Sequence, residues 1–392
     1  MKKLLVVLLA VCLLCGVFAV GASAAPVNIT AKFTDPAFKA AVYEAIYEVA
    51  PTPIYDIDVA DIETLNLSNR GIKSLAGIEY FTGLIYLDCE YNSLSTLPAL
   101  PSGLTRLECS CNQLKSLPAP PFSLTYLQCD QNQLTSLPAL PSSLEDIMCD
   151  YNQLKSLPAL PSSLTFLSCM YNQLTSLPAL PSSLRYFDCE YNQLTSLPAL
   201  PSSLEYLYCG SNQLTSLPAL LLGLKDLACW DNQLTSLPAL PSGLTLLYCE
   251  YNQLTSLDVT GLPLKKLHCN YNNMKSKADV KGFTGKWDGY TFVFDPQNST
   301  PPPTTTKPAT TTTRPLTTTT KPAVTTTKPV STTTKPATTT TKPATTTTKP
   351  GTTTTTRPPT TQPAKTIGNT SYIASAWNWF RYIFFFGFLW MK

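Results

Sequence analysis

Among the chemically reactive residue types in this sequence, cysteine recurs with the most regular spacing. Ten cysteines stand twenty residues apart, from Cys89 through Cys269. Thiolates bind zinc and form disulfides, so the column could be a metal centre, a redox device or a packed apolar row. If the period places the cysteines on parallel strands, their side chains point the same way, which opposes both zinc ligation and disulfide geometry. We therefore expect ten buried thiols, with some disulfides or a metal site as alternatives, and an exposed Cys111, which lies off the column.

No catalytic constellation accompanies the thiols. The only histidine, His268, stands beside Lys265 and Lys266, without a nucleophile or base at a supporting spacing. Acid pairs such as Asp188 and Glu190 follow from a column of acidic positions rather than from a pocket. Catalysis needs a nucleophile with a base, or a paired acid and base, in one site. We expect no catalytic residue, no metal, no cofactor, and a protein that is not an enzyme.

The element that repeats with the cysteines is a twenty-residue unit. Residues 164–174 read LTFLSCMYNQL, and copies begin at every twentieth residue from Leu84 to Leu264. A longer, earlier turn covers 62–72. This L-x-x-L-x-C-x-x-N-x-L spacing is the signature of a leucine-rich repeat, with one short strand per turn. It predicts an α/β solenoid, mostly β, shaped as a horseshoe of about eleven turns and about 50 Å long at the usual strand spacing.

Each position of the repeat, numbered from its first leucine, has an expected direction. Positions 1, 4, 6 and 11 carry Leu, Leu, Cys and Leu in most copies and are predicted to face inward. The convex return, as in 157–163, contains two prolines, which oppose a helix there. Position 9 is asparagine and is expected to bond the backbone of adjoining turns as a ladder. The ladder residues are Asn132, Asn152, Asn172, Asn192, Asn212, Asn232 and Asn252.

The concave face is where a ligand is expected to bind. Positions 2, 3, 5, 7 and 8 should face it, and they are rich in aromatic and acidic residues. A tyrosine column at position 8 has two interpretations, a stacked ladder or a ligand-contacting row. The predicted ligand-binding residues are Tyr186, Asp188, Glu190, Tyr206, Tyr208, Trp230, Tyr248 and Glu250.

Both ends of the solenoid need a cap. Residues 25–61 are predicted to form a helical N-terminal cap, whose helix starts at Asp35 and Pro36. Its expected apolar stripe is Phe38, Val42, Ala45, Ile46 and Val49. The repeat domain, 62–297, should close with a last strand at 291–294, among Trp287, Tyr290, Phe292 and Phe294.

The charge is divided along the chain. All 25 acidic residues lie between residues 25 and 295, against 15 lysines and arginines, which argues against nucleic acid as the ligand of this part. Residues 1–24 are typical of a secretory signal peptide, with Lys2 and Lys3 before an apolar run and an A-x-A site. The expected location is therefore secreted, at the cell surface or membrane-associated.

The end of the sequence is predicted to link and anchor the domain. Residues 298–366 are rich in threonine and proline, which predicts a disordered stalk. Residues 367–392 form an aromatic hydrophobic tail that should associate with membrane or envelope. An interfacial anchor, a true span and an unanchored adhesive tail are the alternatives.

Parts of the sequence resemble known families. The Leu-Pro-x-Leu-Pro-x-x-Leu unit resembles the short repeat of secreted bacterial leucine-rich-repeat effectors. The cap, with Phe33-Thr-Asp-Pro-Ala-Phe38 before Leu65-Asn-Leu-Ser, is similar to internalin-like surface proteins of Gram-positive bacteria, and residues 282–297 resemble the last turn of Cys-type repeat proteins of gut Firmicutes. The ubiquitin-ligase domain of some effectors is not implied, because no folded domain is expected after the repeats.

Together these features predict an exported binding protein displayed on the cell envelope. An adhesin-like recognition of a protein or glycan by the aromatic and acidic concave face is the leading hypothesis. The chain is expected to act as a monomer. A structural envelope scaffold or spacer is the alternative.

Overall fold

The computed structural model describes residues 25–298, and these form a parallel-strand solenoid. Strands β1–β10, β12 and β14 make one sheet in that order, and β11 pairs with β13 in a second. The prediction of a leucine-rich-repeat solenoid is confirmed. The strands are β1 Thr64–Asn66, β2 Tyr86–Asp88, β3 Arg106–Glu108, β4 Tyr126–Gln128, β5 Asp146–Met148, β6 Phe166–Ser168, β7 Tyr186–Asp188, β8 Tyr206–Tyr208, β9 Asp226–Ala228, β10 Leu246–Tyr248, β11 Leu257–Asp258, β12 Lys266–His268, β13 Val280–Lys281 and β14 Phe292–Val293.

Helices are few and lie mainly in the cap. Helix α1 spans Pro36–Ala45 and α2 spans Asp56–Ala60, with short 3-10 helices at Thr30–Lys32, Ile78–Tyr80 and Lys277–Asp279. Within residues 25–298, no helix is long and apolar enough to cross a membrane. The predicted signal peptide and tail, and the stalk beyond residue 298, lie outside the described residues.

The core is a continuous apolar column inside the coil. In the turn that begins at Leu164, that residue, Leu167, Cys169 and Leu174 are all fully buried. Successive side chains of a strand point to opposite faces, so position 4 faces the core while positions 3 and 5 face the concave side. The return segments carry no helix between residues 95 and 255, as their prolines predict.

Each regular turn bends sharply at position 8, just after the strand. The residue there has a φ between 49° and 56°, in the left-handed region that non-glycine residues seldom adopt. These residues are Tyr91, Cys111, Gln131, Tyr151, Tyr171, Tyr191, Ser211, Asp231, Tyr251 and Tyr271.

The asparagines at position 9 hydrogen-bond the backbone of two turns. Asn152 donates from Nδ2 to the carbonyls of Cys129, Cys149 and Asp150 at 3.0–3.2 Å. Its Oδ1 accepts from the backbone N–H of Leu134 at 2.9 Å. The buried polar backbone groups at this bend of each turn are therefore hydrogen-bonded, which offsets the cost of removing them from water.

The N-terminal cap is joined to the first turn by Asp35. Its Oδ1 accepts from the backbone N–H groups at the start of α1, and its Oδ2 accepts from Lys73 N at 2.8 Å. The predicted apolar stripe is wrong at Val49, which is 78 % exposed. Helix α1 ends at Ala45 and Tyr47 has a φ of 57°, so Val49 lies beyond the helix and off its apolar side.

At the other end, β14 pairs with β12 and places Phe292 beside Leu267. Trp287 packs against Phe283 and Phe294, with ring centroids 4.1 and 5.5 Å away. The expectation that Tyr290 joins this cluster is wrong, because Tyr290 is 84 % exposed. Asp288 Oδ1 accepts from the backbone N–H groups of residues 290–292, and this turn directs the tyrosine outward.

Candidate binding face

Part of the predicted aromatic set lies together on three neighbouring strands. Phe166 on β6 stacks on Tyr186 of β7, with centroids 4.2 Å apart and planes at 5°. Tyr186 also lies 6.1 Å from Tyr206 and 5.5 Å from Tyr208, both on β8. These side chains are half-buried, and Asp188 is buried with 7 % of its surface exposed. Phe166, Tyr186, Tyr206 and Tyr208 thus form one contiguous aromatic surface on strands β6 to β8.

Trp230 lies one strand further on, at position 7 after β9. Its indole Nε1 donates to Glu190 Oε1 at 2.8 Å. The ring meets Tyr191 edge to face at 5.2 Å. It also lies over Gly210, where an added Cβ would be only 2.3 Å from Nε1. The structure therefore brings Glu190 and Trp230 together, and it adds a glycine whose role the sequence analysis missed.

Glu250 is a second half-buried carboxylate at position 7. Its Oε1 is 3.9 Å from Nδ1 of His268, and its Oε2 is buried without a hydrogen-bond partner. His268 Nε2 is 2.8 Å from Tyr290 O, so this nitrogen carries the proton donated to that carbonyl. Tyr248 lies beside the imidazole at 5.0 Å, with Lys266 Nζ 5.1 Å from the tyrosine centroid.

Burial controls the protonation of these acids. It raises the pKa of Glu190 to about 7, although hydrogen bonds from Trp230 and Gly210 favour the charged form. It raises the pKa of Glu250 to about 7 as well, and the charge of Glu190 adds to the effect. Burial lowers the pKa of His268. Both carboxyl groups therefore titrate near neutral pH, and the imidazole is largely uncharged there.

Other acids at position 7 bond the backbone instead of facing a ligand. Asp130 and Asp150 are 1 % and 0 % exposed. Asp130 Oδ1 accepts from Asp150 N at 2.8 Å, and Asp150 Oδ1 accepts from Met170 N at 2.9 Å and from Ser168 Oγ at 2.7 Å. The prediction that residues at position 7 face the concave side is wrong for these two acids, because both are buried. Their recurrence at the same position, twenty residues apart, is the one sequence signal that could have indicated this ladder.

Five of the six tyrosines at position 8 stack in two groups, and Tyr91 is 52 % exposed. Tyr171 lies 4.3 Å from Tyr151 and 3.9 Å from Tyr191, with planes at 12° in both pairs. Tyr251 and Tyr271 form a second stack at 4.3 Å. The shared faces of these rings are covered, which leaves mainly edges and hydroxyl groups for a ligand.

The N-terminal half of the face contains a cation that the sequence analysis did not single out. Arg106 places its guanidinium carbon 3.6 Å from the centroid of Tyr126 and donates from Nε to Glu108 at 2.8 Å. Tyr86 donates its hydroxyl to the same carboxylate at 2.6 Å. The signal available in the sequence was an arginine between two aromatic residues at repeat position 3.

Three acids beside Arg106 have a spacing that a metal ion would accept. Carboxylate oxygens of Asp88, Glu90 and Glu108 lie within 4.8 Å of one another. Each residue already accepts a hydrogen bond: Asp88 from Glu90 N, Glu90 from Gln128, and Glu108 from Arg106. Hydrogen bonds within the protein therefore explain why these three carboxylates lie close together.

The ten column cysteines are buried and form no disulfide. Cys149 and Cys169 each donate the S–H to a carbonyl of the next turn at 3.3 Å. Burial raises the pKa of these thiols well above its usual value, which keeps them protonated and unreactive. Cys111 is half-buried, more accessible than the column but less exposed than expected.

No protein-family model and no curated protein matches the sequence. Among solved structures, YopM from Yersinia enterocolitica WA-314 is 35 % identical with a TM-score of 0.50, and the match covers 55 % of this chain and 56 % of YopM. YopM from Yersinia pestis, a leucine-rich effector protein, is 33 % identical with a TM-score of 0.47, over 54 % of this chain and 72 % of that one.

A third similar structure is the functional domain of InlJ from Listeria monocytogenes, which includes a cysteine ladder. It is 23 % identical with a TM-score of 0.40, over 65 % of this chain and 79 % of InlJ. The chain thus spans about half the length of the first YopM structure. With its parallel solenoid of about eleven turns and its twenty-residue repeats, the chain belongs to the bacterial leucine-rich-repeat proteins.

Proposed function

We propose that this protein binds a protein or glycan ligand on its concave face and that it is displayed on the cell envelope. The observation that carries the proposal is the aromatic surface of Tyr186, Tyr206 and Tyr208. Trp230 follows the next strand, β9, and Tyr248 lies on β10. These side chains are half-buried on neighbouring strands, so a ligand could cover them without rearranging the core.

Chemistry supports this surface as the contact region. Tyrosine and tryptophan supply a large contact area at a low cost in side-chain entropy, and they dominate the energetics of many interfaces. Glu190 and Glu250 flank them, so a ligand with a basic rim would associate faster and with a marked salt dependence. The similarity to YopM, at 35 % identity, is consistent with a binding role, because leucine-rich-repeat solenoids present long concave surfaces.

Alanine substitution of the aromatic anchors tests the binding site. The full chain would first be used to isolate a ligand from host and envelope extracts. Trp230→Ala and Tyr208→Ala should each weaken its binding about thirtyfold without unfolding the protein, because central aromatics contribute about 2 kcal/mol or more. Tyr47→Ala is the matched control, since Tyr47 is 86 % exposed on the cap. If the double variant Trp230→Ala, Tyr208→Ala binds with full affinity, the ligand-binding site lies elsewhere on the protein.

Display on the envelope is proposed from the ends of the sequence. The signal peptide at 1–24 would direct export, the Thr/Pro segment 298–366 would extend the domain, and the tail 367–392 would anchor it. Deleting 367–392 should release the protein into the medium, measured by immunoblotting of cell and medium fractions. Retention of the truncated protein on cells at the full-length level would contradict the anchor.

A further inference from the structure

Trp230 has one ring face against the backbone and one directed away from it. A Cβ added to Gly210 would lie 2.3, 2.4 and 2.8 Å from Nε1, Cε2 and Cδ1 of the indole. Three pyrrole atoms at such similar distances mean that the ring lies face-on over the glycine. Trp230 is partly exposed, and its ring also meets Tyr191 edge to face at 5.2 Å. With one face over the glycine, the exposed surface of the ring lies on the other face and at the edges that Tyr191 does not cover.

Neighbouring aromatic rings are already engaged by partners within the protein. Tyr186 is covered by Phe166, Tyr171 is stacked between Tyr151 and Tyr191, and Tyr126 carries the guanidinium of Arg106. The outward face of Trp230 is therefore well placed to take an additional partner.

The site around Arg106 shows which chemistry fits an aromatic ring beside a carboxylate. There, one guanidinium lies on the ring of Tyr126 and bonds Glu108 at the same time. Trp230 with Glu190 has the same pair of groups, an aromatic face and a carboxylate bonded to it. Between residues 25 and 298, however, no lysine or arginine forms an ion pair with Glu190 or Glu250.

The carboxylates retain capacity for hydrogen bonds. Glu250 Oε2 is buried and has no hydrogen-bond partner in the described part of the chain. Glu190 uses Oε1 for Trp230, and it lies close enough to Glu250 for their charges to interact. A partly buried carboxylate with an unused acceptor oxygen is stabilised when a cation binds it through several hydrogen bonds.

We propose that Trp230, Glu190 and Glu250 form a binding site for an arginine side chain of the protein partner. The guanidinium lies on the outward indole face and donates to the two carboxylates. Arginine suits the site better than lysine, because its planar fork stacks on aromatic rings and donates in parallel. This assignment rests on the proposed concave-face function and specifies the chemistry of the partner.

The site should bind arginine more tightly as the pH rises. Burial raises the pKa of Glu190 and of Glu250 to about 7, and only the charged forms attract a guanidinium. The charged or titratable groups around the two carboxyls are Lys266, His268, the tyrosines Tyr171, Tyr186, Tyr191 and Tyr251, and the buried thiols of the cysteine column. Burial raises the pKa of the tyrosines and thiols, so these do not ionise between pH 6 and 8, and it lowers the pKa of His268, which reduces the charge of the imidazole. Titration of one carboxyl near pH 7 gives an affinity about tenfold higher at pH 8 than at pH 6.

Titration of the full chain with Nα-acetyl-arginine amide tests the assignment. The indole N–H signal of Trp230, identified in the NMR spectrum by its loss in Trp230→Phe, should shift saturably with the arginine probe and more readily at pH 8. Nα-acetyl-citrulline amide, its neutral isostere, should cause no shift. Glu190→Gln should abolish the response, whereas Glu205→Gln should retain it, because Glu205 is already paired with Arg185 and Lys225. Equal responses to both probes, or an unchanged arginine response in Glu190→Gln, would overturn the assignment.

The same experiment separates this inference from the proposed function. If the isolated partner depends on Trp230 but the arginine probe causes no shift, the arginine site is wrong and the concave binding face stands. If the probe binds but Trp230→Ala leaves partner affinity unchanged, the partner does not place an arginine on Trp230 and the assigned occupant is overturned. The concave binding face is overturned as well only if the double variant Trp230→Ala, Tyr208→Ala keeps full affinity for the partner.

Discussion

The indole Nε1 of Trp230 donates a 2.8 Å hydrogen bond to Oε1 of Glu190, which lies forty residues, or two repeats, earlier. Gly210 occupies the intervening position, and the absence of a side chain there allows the ring to cross it. This bond fixes the orientation of an aromatic side chain on a surface that otherwise repeats every twenty residues. It makes the C-terminal half of the concave face locally distinct.

Gly210→Ala should displace Trp230. The new methyl group would lie 2.3 Å from Nε1, well inside contact distance, so the ring must move and its bond to Glu190 must break. We expect a large change in the Trp230 indole NMR signal and weaker ligand binding. Gly243→Ala is the control, since a Cβ there comes no closer than 3.7 Å to another residue. An unchanged indole signal in Gly210→Ala would contradict the described ring position.

Asn152→Ala should strongly destabilise the solenoid. The substitution leaves the buried Leu134 N–H without its partner and removes one hydrogen bond from each of the carbonyls of Cys129, Cys149 and Asp150, which keep their bonds from Asn132, Asn172 and the backbone of Gln131. An unsatisfied buried N–H costs about 1–3 kcal/mol and each lost hydrogen bond about 0.5–1.5 kcal/mol, so we expect a loss of about 3 kcal/mol or more in the free energy of unfolding. Urea unfolding followed by circular dichroism measures it. The neighbouring exposed residue provides the control, Gln153→Ala, which should change stability by less than about 0.5 kcal/mol.

The column thiols should resist modification while the protein is folded. They are buried, and burial raises their pKa, so the reactive thiolate is scarce. In a thiol titration with and without denaturant, Cys111 should react first and the column should react only after unfolding. Cys111→Ser should remove the fast fraction. Rapid reaction of most column thiols in the native protein would show that they are accessible.

Glu250→Gln should stabilise the protein above neutral pH. Burial raises the folded-state pKa of this carboxyl from 4.5 to about 7, so the folded protein binds more protons than the unfolded chain in that interval. The stabilising contribution is therefore complete below pH 4.5 and is lost as the pH rises to about 7. Glutamine stays uncharged, so Glu250→Gln should have a free energy of unfolding up to about 3 kcal/mol higher than the unchanged protein at pH 8, and nearly the same value at pH 4.

Chemical unfolding at several pH values measures this effect of Glu250. Glu205→Gln should behave oppositely, because hydrogen bonds from Lys225 and Arg185 lower the pKa of Glu205. Glu205→Gln should therefore be less stable than the unchanged protein above pH 4.5, and it should show no gain in stability at pH 8. A parallel pH dependence of the two variants would contradict the burial of the Glu250 carboxyl.

The sequence alone determined the features that depend on one residue type at one repeat position. A leucine at positions 1 and 4 and a cysteine at position 6 must face inward, because a strand alternates its side chains and the apolar ones lose contact with water. Asp35 before Pro36 likewise marked the start of α1, since capping is a local interaction.

Tertiary structure alone decided which partners the polar and aromatic side chains found. Asp150 could have faced a ligand, but an N–H of the next turn lies within its reach. The sequence allowed the position 8 tyrosines to stack or to contact a ligand, and the spacing of adjacent turns stacks Tyr151 on Tyr171. Trp230 meets Glu190 only because Gly210 leaves the path between them open. Such pairings depend on the distance and direction between turns, which arise when the coil closes and which a one-dimensional period does not contain.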